Sequence, residues 1–468
     1  MRPVPTLLSL LTTALLAAPA LPVDADNAVP AAESAVTIQP VAAPEGPAEV
    51  PSEAVPQAVS KQGVAPETDP EADADAEAEA EPAPANDVPR YLIQKSNSAV
   101  HAAMLSPGQR ALLAAMPDSF RLPVHARTAP YAPPSAFAAL SAADDGKARL
   151  DDNGAIYGLG RGLPFPEILS NDPQGGLKAI WNHLLRWRGT GRSRSTVQAV
   201  VSEDGTLSLV NVHERSRFLR GIDADAPQRM PLLTQQMFGI AAPPRLAGNL
   251  KLVHESLYGV VKAWQRSPDA LLSKLRTTTE AGDDTPVIGS DGLYGEDQRE
   301  GFSGSPERWR WKLAARHELL VPWAAERFHA RDRTLEAVLT ARHPDAGVLR
   351  YEPRRVLQVD ALLDADRSGP WPKRSYYIDE ASWQVLLVEF YGRDDRLQRV
   401  QEVHVRQFGD VLLPAVEVIY DLPSRRYLVS GLETRSGDTV LEAPVAEDFQ
   451  PGPAVDWAKS VGAVPSPR

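Results

Sequence analysis

The clearest alternation of apolar and polar positions runs from Lys373 to Phe408, KRSYYIDEASWQVLLVEFYGRDDRLQRVQEVHVRQF, and predicts three strands joined by two tight turns. Tyr376, Tyr377 and Ile378 supply the aromatic and β-branched residues that favour a pleated surface, and Asp379-Glu380-Ala381-Ser382 interrupts them. Trp383 to Phe390 is apolar on both faces apart from Gln384 and Glu389, as a strand covered on either side would be. Gly392-Arg393-Asp394-Asp395 supplies the second turn, because Gly and Asp tolerate left-handed backbone. In the third strand Val403 and Val405 face one way, and Glu402, His404 and Arg406 are predicted on a wet face. The pattern is that of an antiparallel meander.

The same reading extends along the chain. Residues 99–115 read as helix, broken at Ser106-Pro107-Gly108, and the prolines of residues 116–134 predict an extended arm. Gly175 to Arg188 predicts an amphipathic helix, with Leu177, Ile180, Trp181, Leu184 and Leu185 at helical spacing and Gly189 as its stop. This helix is expected across the concave face of the sheet. Val197–Val201, the turn Glu203-Asp204-Gly205 and Leu207–Val212 form a hairpin. Pro231–Pro244 reads as an unusually apolar connection, Leu250–Tyr258 as a strand, and residues 276–306 as a long polar loop. Arg308–Val321 is ambiguous, and Leu335–Leu339 reads as a short helical piece. A strand from Arg355 to Leu363 puts Leu357, Val359, Ala361 and Leu363 on one face. Ala415–Tyr420 and Arg426–Leu432 close the sheet, and the Pro-rich residues from Pro444 on are expected to fray.

Charge changes the picture at the N-terminus. Arg2, the apolar run Leu7–Ala18 and Ala18-Pro19-Ala20 read as a secretory signal peptide over residues 1–20. Residues 21–88, rich in Ala, Pro and Glu, have too little apolar surface to offset ordering entropy and predict a disordered linker. Residues 1–88 hold 15 of the 61 acidic and 2 of the 49 basic residues, which leaves 46 acidic and 47 basic groups for the remainder. The acidity therefore belongs to the tail, and the nearly neutral remainder gives no bulk charge to attract nucleic acid. With no Cys, disulfides and a lipid-modified N-terminal Cys are both excluded.

Candidate chemistry is sparse. His254-Glu255 and His317-Glu318 begin like a zinc-protease helix but continue to Tyr258 and Val321 instead of a second His. Gly301-Phe302-Ser303-Gly304-Ser305 misses the last glycine of a nucleophile elbow. Gly158-Leu159-Gly160-Arg161-Gly162 lacks phosphate-loop spacing and reads as a surface connection. His183 has no sequence-local carboxylate to orient it as a base and reads as a capped or solvent-facing side chain. Asp379-Glu380 reads as turn chemistry. No catalytic residue, metal or cofactor is assigned. Trp181, Trp187, Trp309, Trp311, Trp323 and Trp383 read first as core, and together with a curved sheet they also suit a cavity for a long apolar ligand. The candidate lining is Trp181, Leu184, Leu185, Trp383, Leu386 and Phe390.

The runs PDSFRLPV…RTA (Pro117–Ala129), GLPFP (Gly162–Pro166), IWNHLLRWRG (Ile180–Gly189), GIAAPPRLAGNLKLVHE (Gly239–Glu255), SDGL (Ser290–Leu293), GSPERWRWKL (Gly304–Leu313), LRYEPRRV (Leu349–Val356), YYIDEASWQ (Tyr376–Gln384) and YDLPSRRYLV (Tyr420–Val429) occur in unbroken order. Together they resemble the exported bacterial domain-of-unknown-function family 1329, grouped with LolA/LolB-like proteins, over about residues 105–445. The resemblance implies an α+β, mainly antiparallel fold, an incomplete β-barrel lidded by helices around an apolar cavity. It implies an N-terminal helix and arm over 89–147, the LolA-like β-domain over 148–445 and a Pro-rich tail over 446–468. It departs from the family where QRSPDALLSKLR follows Ala263-Trp264, and at Glu352-Pro353-Arg354-Arg355-Val356-Leu357. The expected role is a periplasmic, non-catalytic carrier of a lipid, acyl chain or other hydrophobic small molecule in outer-membrane traffic. A scaffold for outer-membrane protein or transporter components is the first alternative. An envelope-lipid hydrolase using His183 or His254 is the second.

Overall fold

A computed structural model describes residues 88–222, 232–257, 262–271, 273–275, 285–330, 333–364, 367, 369–433 and 439–463. The expected signal peptide, nearly all of the linker and residues 276–284 of the expected loop lie outside the described residues.

The chain first lays down β1 (Tyr91–Ile93), α1 (Pro107–Ala115), β2 (Leu122–Val124), α2 (Ser135–Ala143), β3 (Arg149–Leu150), β4 (Ile156–Tyr157) and α3 (Gly175–Leu185). Next come β5 (Gly191–Val201), β6 (Leu207–Phe218), α4 (Leu219–Ile222), β7 (Leu232–Ala242), β8 (Leu250–Ser256), β9 (Lys262–Arg266) and β10 (Ser273–Leu275). The chain ends with β11 (Trp309–Pro322), α5 (Leu335–Val338), β12 (Tyr351–Leu363), β13 (Lys373–Asp379), β14 (Val385–Tyr391), β15 (Leu397–Phe408), β16 (Val411–Asp421), β17 (Arg426–Glu433) and α6 (Pro451–Ala463).

Fifteen of these strands form one open sheet. From β11 it runs through β12, β13, β14, β15, β16 and β17, then returns to β5 and continues through β6, β7, β8 and β9 to β10. Neighbours along this path are antiparallel, and the antiparallel pair β1–β2 joins β12 through a single parallel bridge, Tyr351 to Val124. The expected incomplete antiparallel architecture is therefore the one found.

Both faces of the sheet are covered. On one face α3 sets Ala179, Ile180, Trp181 and Leu185 against Leu357, Val359, Ala361, Tyr376 and Ile378. The Leu357–Leu363 stripe thus faces the core as its period of two requires. Gly176 permits the approach: a Cβ there would lie 2.6 Å from the backbone of Lys312 in β11. On the other face α1 packs Leu112 and Leu113 among Val400, Val418, Tyr420, Tyr427 and Val429.

Several sequence readings are corrected. Ser106-Pro107-Gly108 does not break a helix but starts α1. Ser106 Oγ accepts from Gln109 N at 3.2 Å, Gln109 Oε1 accepts from Ser106 N at 3.0 Å, and Pro107 takes the first turn, where no N–H is needed. Pro231–Pro244 is not a connection, since most of it is β7, buried on both faces. Ambiguous Arg308–Val321 is one strand, β11, with an irregularity between Leu313 and Ala315. Glu402 and His404 are fully buried, because β15 is covered on its second face as well. The expected frayed tail contains α6, whose Ala454 and Ala458 pack on Met237, Leu250 and Leu252 of β7 and β8.

Candidate functional site

The local pattern of β5 builds a cavity lined by buried charges. Val197, Ala199 and Val201 face α1 in the core. Arg192, Arg194, Thr196 and Gln198 point the other way and line a cavity. Neighbouring strands add Val212 and Glu214 from β6, Gln236, Phe238 and Ile240 from β7, Lys251 and Glu255 from β8, Glu417 from β16 and Ser430 from β17. Six adjacent strands span roughly 24 Å if flat. Side chains from all six meet around one space, so the sheet curls here. The end of α3 (Leu184, Arg186, Arg188) and the 285–303 segment (Val287, Ile288, Tyr294, Glu296, Arg299, Glu300, Phe302, Ser303) close the cavity.

Buried charges hold the closure in place. Glu300 sits at left-handed φ of 57°, and its carboxylate meets Arg186 at 2.5 Å, Arg192 at 2.9 Å and Arg188 at 3.5 Å. Its own N–H donates to Glu417 Oε1 at 3.0 Å, and its carbonyl accepts from Gln384 Nε2 at 2.9 Å. Glu214 bridges Arg192 (2.6 Å) and Arg194 (2.7 Å) and accepts from Ser216 Oγ at 2.9 Å. Arg299 pairs with Glu296 at 2.7 Å and stacks 3.8 Å from the centre of the Phe238 ring. Burial alone would raise the Glu300 carboxyl, but Arg192, Arg186 and Arg188 outweigh it and hold it well below the usual carboxylate range. Burial likewise opposes ionisation of Glu214, yet Arg192 and Arg194 bring it down to about 2.

Three groups stand outside these pairs. Lys251 is 2% exposed, and its Nζ has no hydrogen-bond partner among the described residues. Burial lowers its pKa, opposed by the field of Glu296. Glu255 and Glu417 are both pushed upward by burial. Thr234 donates to Glu255 at 2.7 Å, and Tyr294 (2.9 Å) and Gln401 (2.6 Å) donate to Glu417. The lining sets six basic side chains (Arg186, Arg188, Arg192, Arg194, Lys251 and Arg299) against five carboxyls (Glu214, Glu255, Glu296, Glu300 and Glu417). The space amounts to about 50 Å³ for water centres, room for a few waters or one small polar group.

The pH dependence follows with a definite sign. A carboxyl held at about 2 when folded and near 4.5 when unfolded adds stability above pH 4.5 that is lost as pH falls toward 2. Its size for buried Glu214 is on the order of 3 kcal/mol. Chemical denaturation of wild type between pH 4.5 and 2.5 should show falling stability, and Glu214→Gln should be less stable at pH 7 but flatter across that interval. Parallel slopes for the two proteins would remove Glu214 from the account.

Of the six residues expected to line a ligand site, only Leu184 borders this cavity. Trp181, Leu185 and Phe390 are packed in the α3 core, with the Trp181 Nε1–H donating to the Gly154 carbonyl at 3.0 Å. Trp383 lies partly buried against that core at φ of 59°. Leu386 belongs to a different cluster with Val321, Trp323 and Tyr377. This cavity is lined by charged side chains together with Leu184, Val212, Phe238, Ile240, Val287 and Phe302.

His183 is not solvent-facing. It is fully buried, with Nε2 3.0 Å from the Phe302 carbonyl, Nδ1 3.0 Å from the Trp383 carbonyl, and the Val385 N–H donating to Nδ1 at 3.3 Å. Burial, reinforced by Arg186, drops its pKa well below the usual histidine value. It fastens α3 to the meander in its neutral form. The helix ends at Leu185, before the expected Gly189, and Arg186 turns extended toward Glu300. His254 sits on the opposite side of β8 from Lys251, its Nε2 3.0 Å from the Phe449 carbonyl. His317 is exposed beside Gln358. Ser303 Oγ donates to the Glu296 carbonyl at 2.8 Å. Asp379 accepts from Ser382 within its turn, while Glu380 pairs with Arg316 and Arg355. Among the described residues, no group of His, Asp and Glu gathers as a metal site.

Sequence reasoning missed Arg192, Arg194, Glu214, Lys251 and Glu300. One signal was present: in GRSRSTVQAVV the polar side chains Arg192, Arg194, Thr196 and Gln198 recur at every second position, a pattern that by itself reads as a wet face.

A family model described as Protein of unknown function (DUF1329) matches residues 92–453. The uncharacterized protein PA3922 of Pseudomonas aeruginosa is 31% identical over 358 residues, covering 75% of this chain and 77% of that protein. Among solved structures, a DUF1329 family protein from Desulfovibrio piger matches with a TM-score of 0.42 and 8% identity, covering 60% of this chain and 97% of its own. The LolA superfamily protein NE2245 from Nitrosomonas europaea matches with a TM-score of 0.34 and 11% identity, covering 57% and 93%.

Proposed function

This chain belongs to the family described as Protein of unknown function (DUF1329), and from that premise we propose that it is an exported, non-catalytic carrier of an amphiphilic molecule in the periplasm. The observation that carries this reading is the mixed wall of the closed cavity. Leu184, Val212, Phe238, Ile240, Val287 and Phe302 give it apolar surface, beside an unmatched buried cation. A pocket with apolar walls and a few convergent polar groups suits a ligand of the same division. Burial of an acyl chain would contribute about 0.8 kcal/mol per methylene. The space for water centres, about 50 Å³, is smaller than such a chain, so loading requires the 285–303 segment to yield. A hydrolase reading is less well supported, because His183 and His254 are each engaged by backbone carbonyls. No described helix is long and apolar enough to cross a membrane.

The test is mass spectrometry of protein taken from its own periplasm, under native and denaturing conditions, followed by solvent extraction. A stoichiometric apolar mass released on denaturation is the expected result. A clean apo mass, with no uptake of fluorescent fatty acids, would overturn the carrier reading and favour the scaffold.

A further inference from the structure

We propose that Lys251 is the receptor for the anionic head of the ligand, a carboxylate or phosphate oxyanion held in the charged cavity; the apolar part of this statement rests on the carrier reading above. Every other cation in the wall already has a carboxylate. Arg186, Arg188 and Arg192 share Glu300, Arg192 and Arg194 share Glu214, and Arg299 has Glu296. Among the described residues of the wall, Lys251 Nζ is the cation left over, on a residue only 2% exposed.

An ammonium in that position is costly for a protein that never fills the site. The two remaining acids do not answer it: Glu255 and Glu417 are engaged by Thr234, Tyr294 and Gln401. Those hydrogen bonds occupy both carboxyls, and burial raises the pKa of each. The free space matches one head group. The apolar surface of Phe238 and Ile240 begins on the neighbouring strand, where Phe238 is the register partner of Lys251. A point charge with three rotatable donors suits either oxyanion.

The experiment compares binding of laurate, dodecyl phosphate, dodecanol and inorganic phosphate to wild type, Lys251→Met and Lys251→Arg by titration calorimetry at pH 7. Wild type should bind laurate or dodecyl phosphate at least 10-fold more tightly than dodecanol. Lys251→Met should reduce that ratio to within about twofold with the dodecanol Kd unchanged, and Lys251→Arg should retain it. Because Lys251→Met removes an unpaired buried charge, its melting temperature should equal or exceed that of wild type, so lost preference cannot be lost fold. Equal binding of charged and neutral amphiphiles by wild type, or a preference that survives Lys251→Met, overturns the assignment and leaves the carrier reading standing. Inorganic phosphate binding that disappears in Lys251→Met, without binding of any amphiphile, supports the oxyanion site and overturns the carrier. Binding of none of the four overturns both.

Discussion

Glu300→Gln is expected to destabilise the protein by ~3–5 kcal/mol, the usual result of removing one partner from a buried ionic network. The replacement keeps side-chain size and leaves the backbone at the same left-handed angle, so the loss isolates the charge. Arg192 retains Glu214, but Arg186, 7% exposed, loses its carboxylate and is left with neutral acceptors, the His183 carbonyl and the introduced amide oxygen. Denaturant unfolding at pH 7 measures the effect. Adding Arg186→Met to Glu300→Gln should restore part of the loss, since the orphaned guanidinium is then gone. A Glu300→Gln protein within about 1 kcal/mol of wild type would show that the three arginines do not depend on it.

Trp181→Ala is the second large effect, at ~3–5 kcal/mol, because it empties a fully packed position and removes a hydrogen-bonded indole. Trp181 is 1% exposed among Ile180, Leu185, Leu357 and Tyr376, and the other end of its ring is tied to Gly154. Leu184→Ala should cost less, since Leu184 borders the cavity and water or a ligand atom can occupy the vacated volume. If Trp181→Ala unfolds like wild type yet loses amphiphile binding, Trp181 lines the site and is not core.

Much of the scaffold was legible because period-two patterning survives burial on one face. The Leu357–Leu363 stripe and the meander turns at Asp379 and Gly392 are found where the alternation puts them. The readings failed where both faces are covered. In β7 the pattern disappears, so Thr234, Gln235 and Gln236 read as a connection although all three are buried in a strand. Capping was misread at Ser106 because Pro and Gly are breakers inside a helix and starters at its first turn.

The candidate site was much less legible. Its members come from β5, β6, β7, β8, β16 and β17, from the end of α3 and from the 285–303 segment, separated by more than two hundred positions along the chain. Arg192 and Arg194 carry the same alternation whether solvent or Glu214 and Glu300 lie opposite them.

By itself, the sequence determined an antiparallel sheet, the amphipathic α3 and the family, because side-chain period and residue order are local properties that any compact solution must respect. Only the tertiary structure decided that the polar side of β5 faces inward. That decision depends on the curl of six neighbouring strands and on Glu300 reaching three arginines, which encloses charge at an energetic cost only long-range ion pairing can offset.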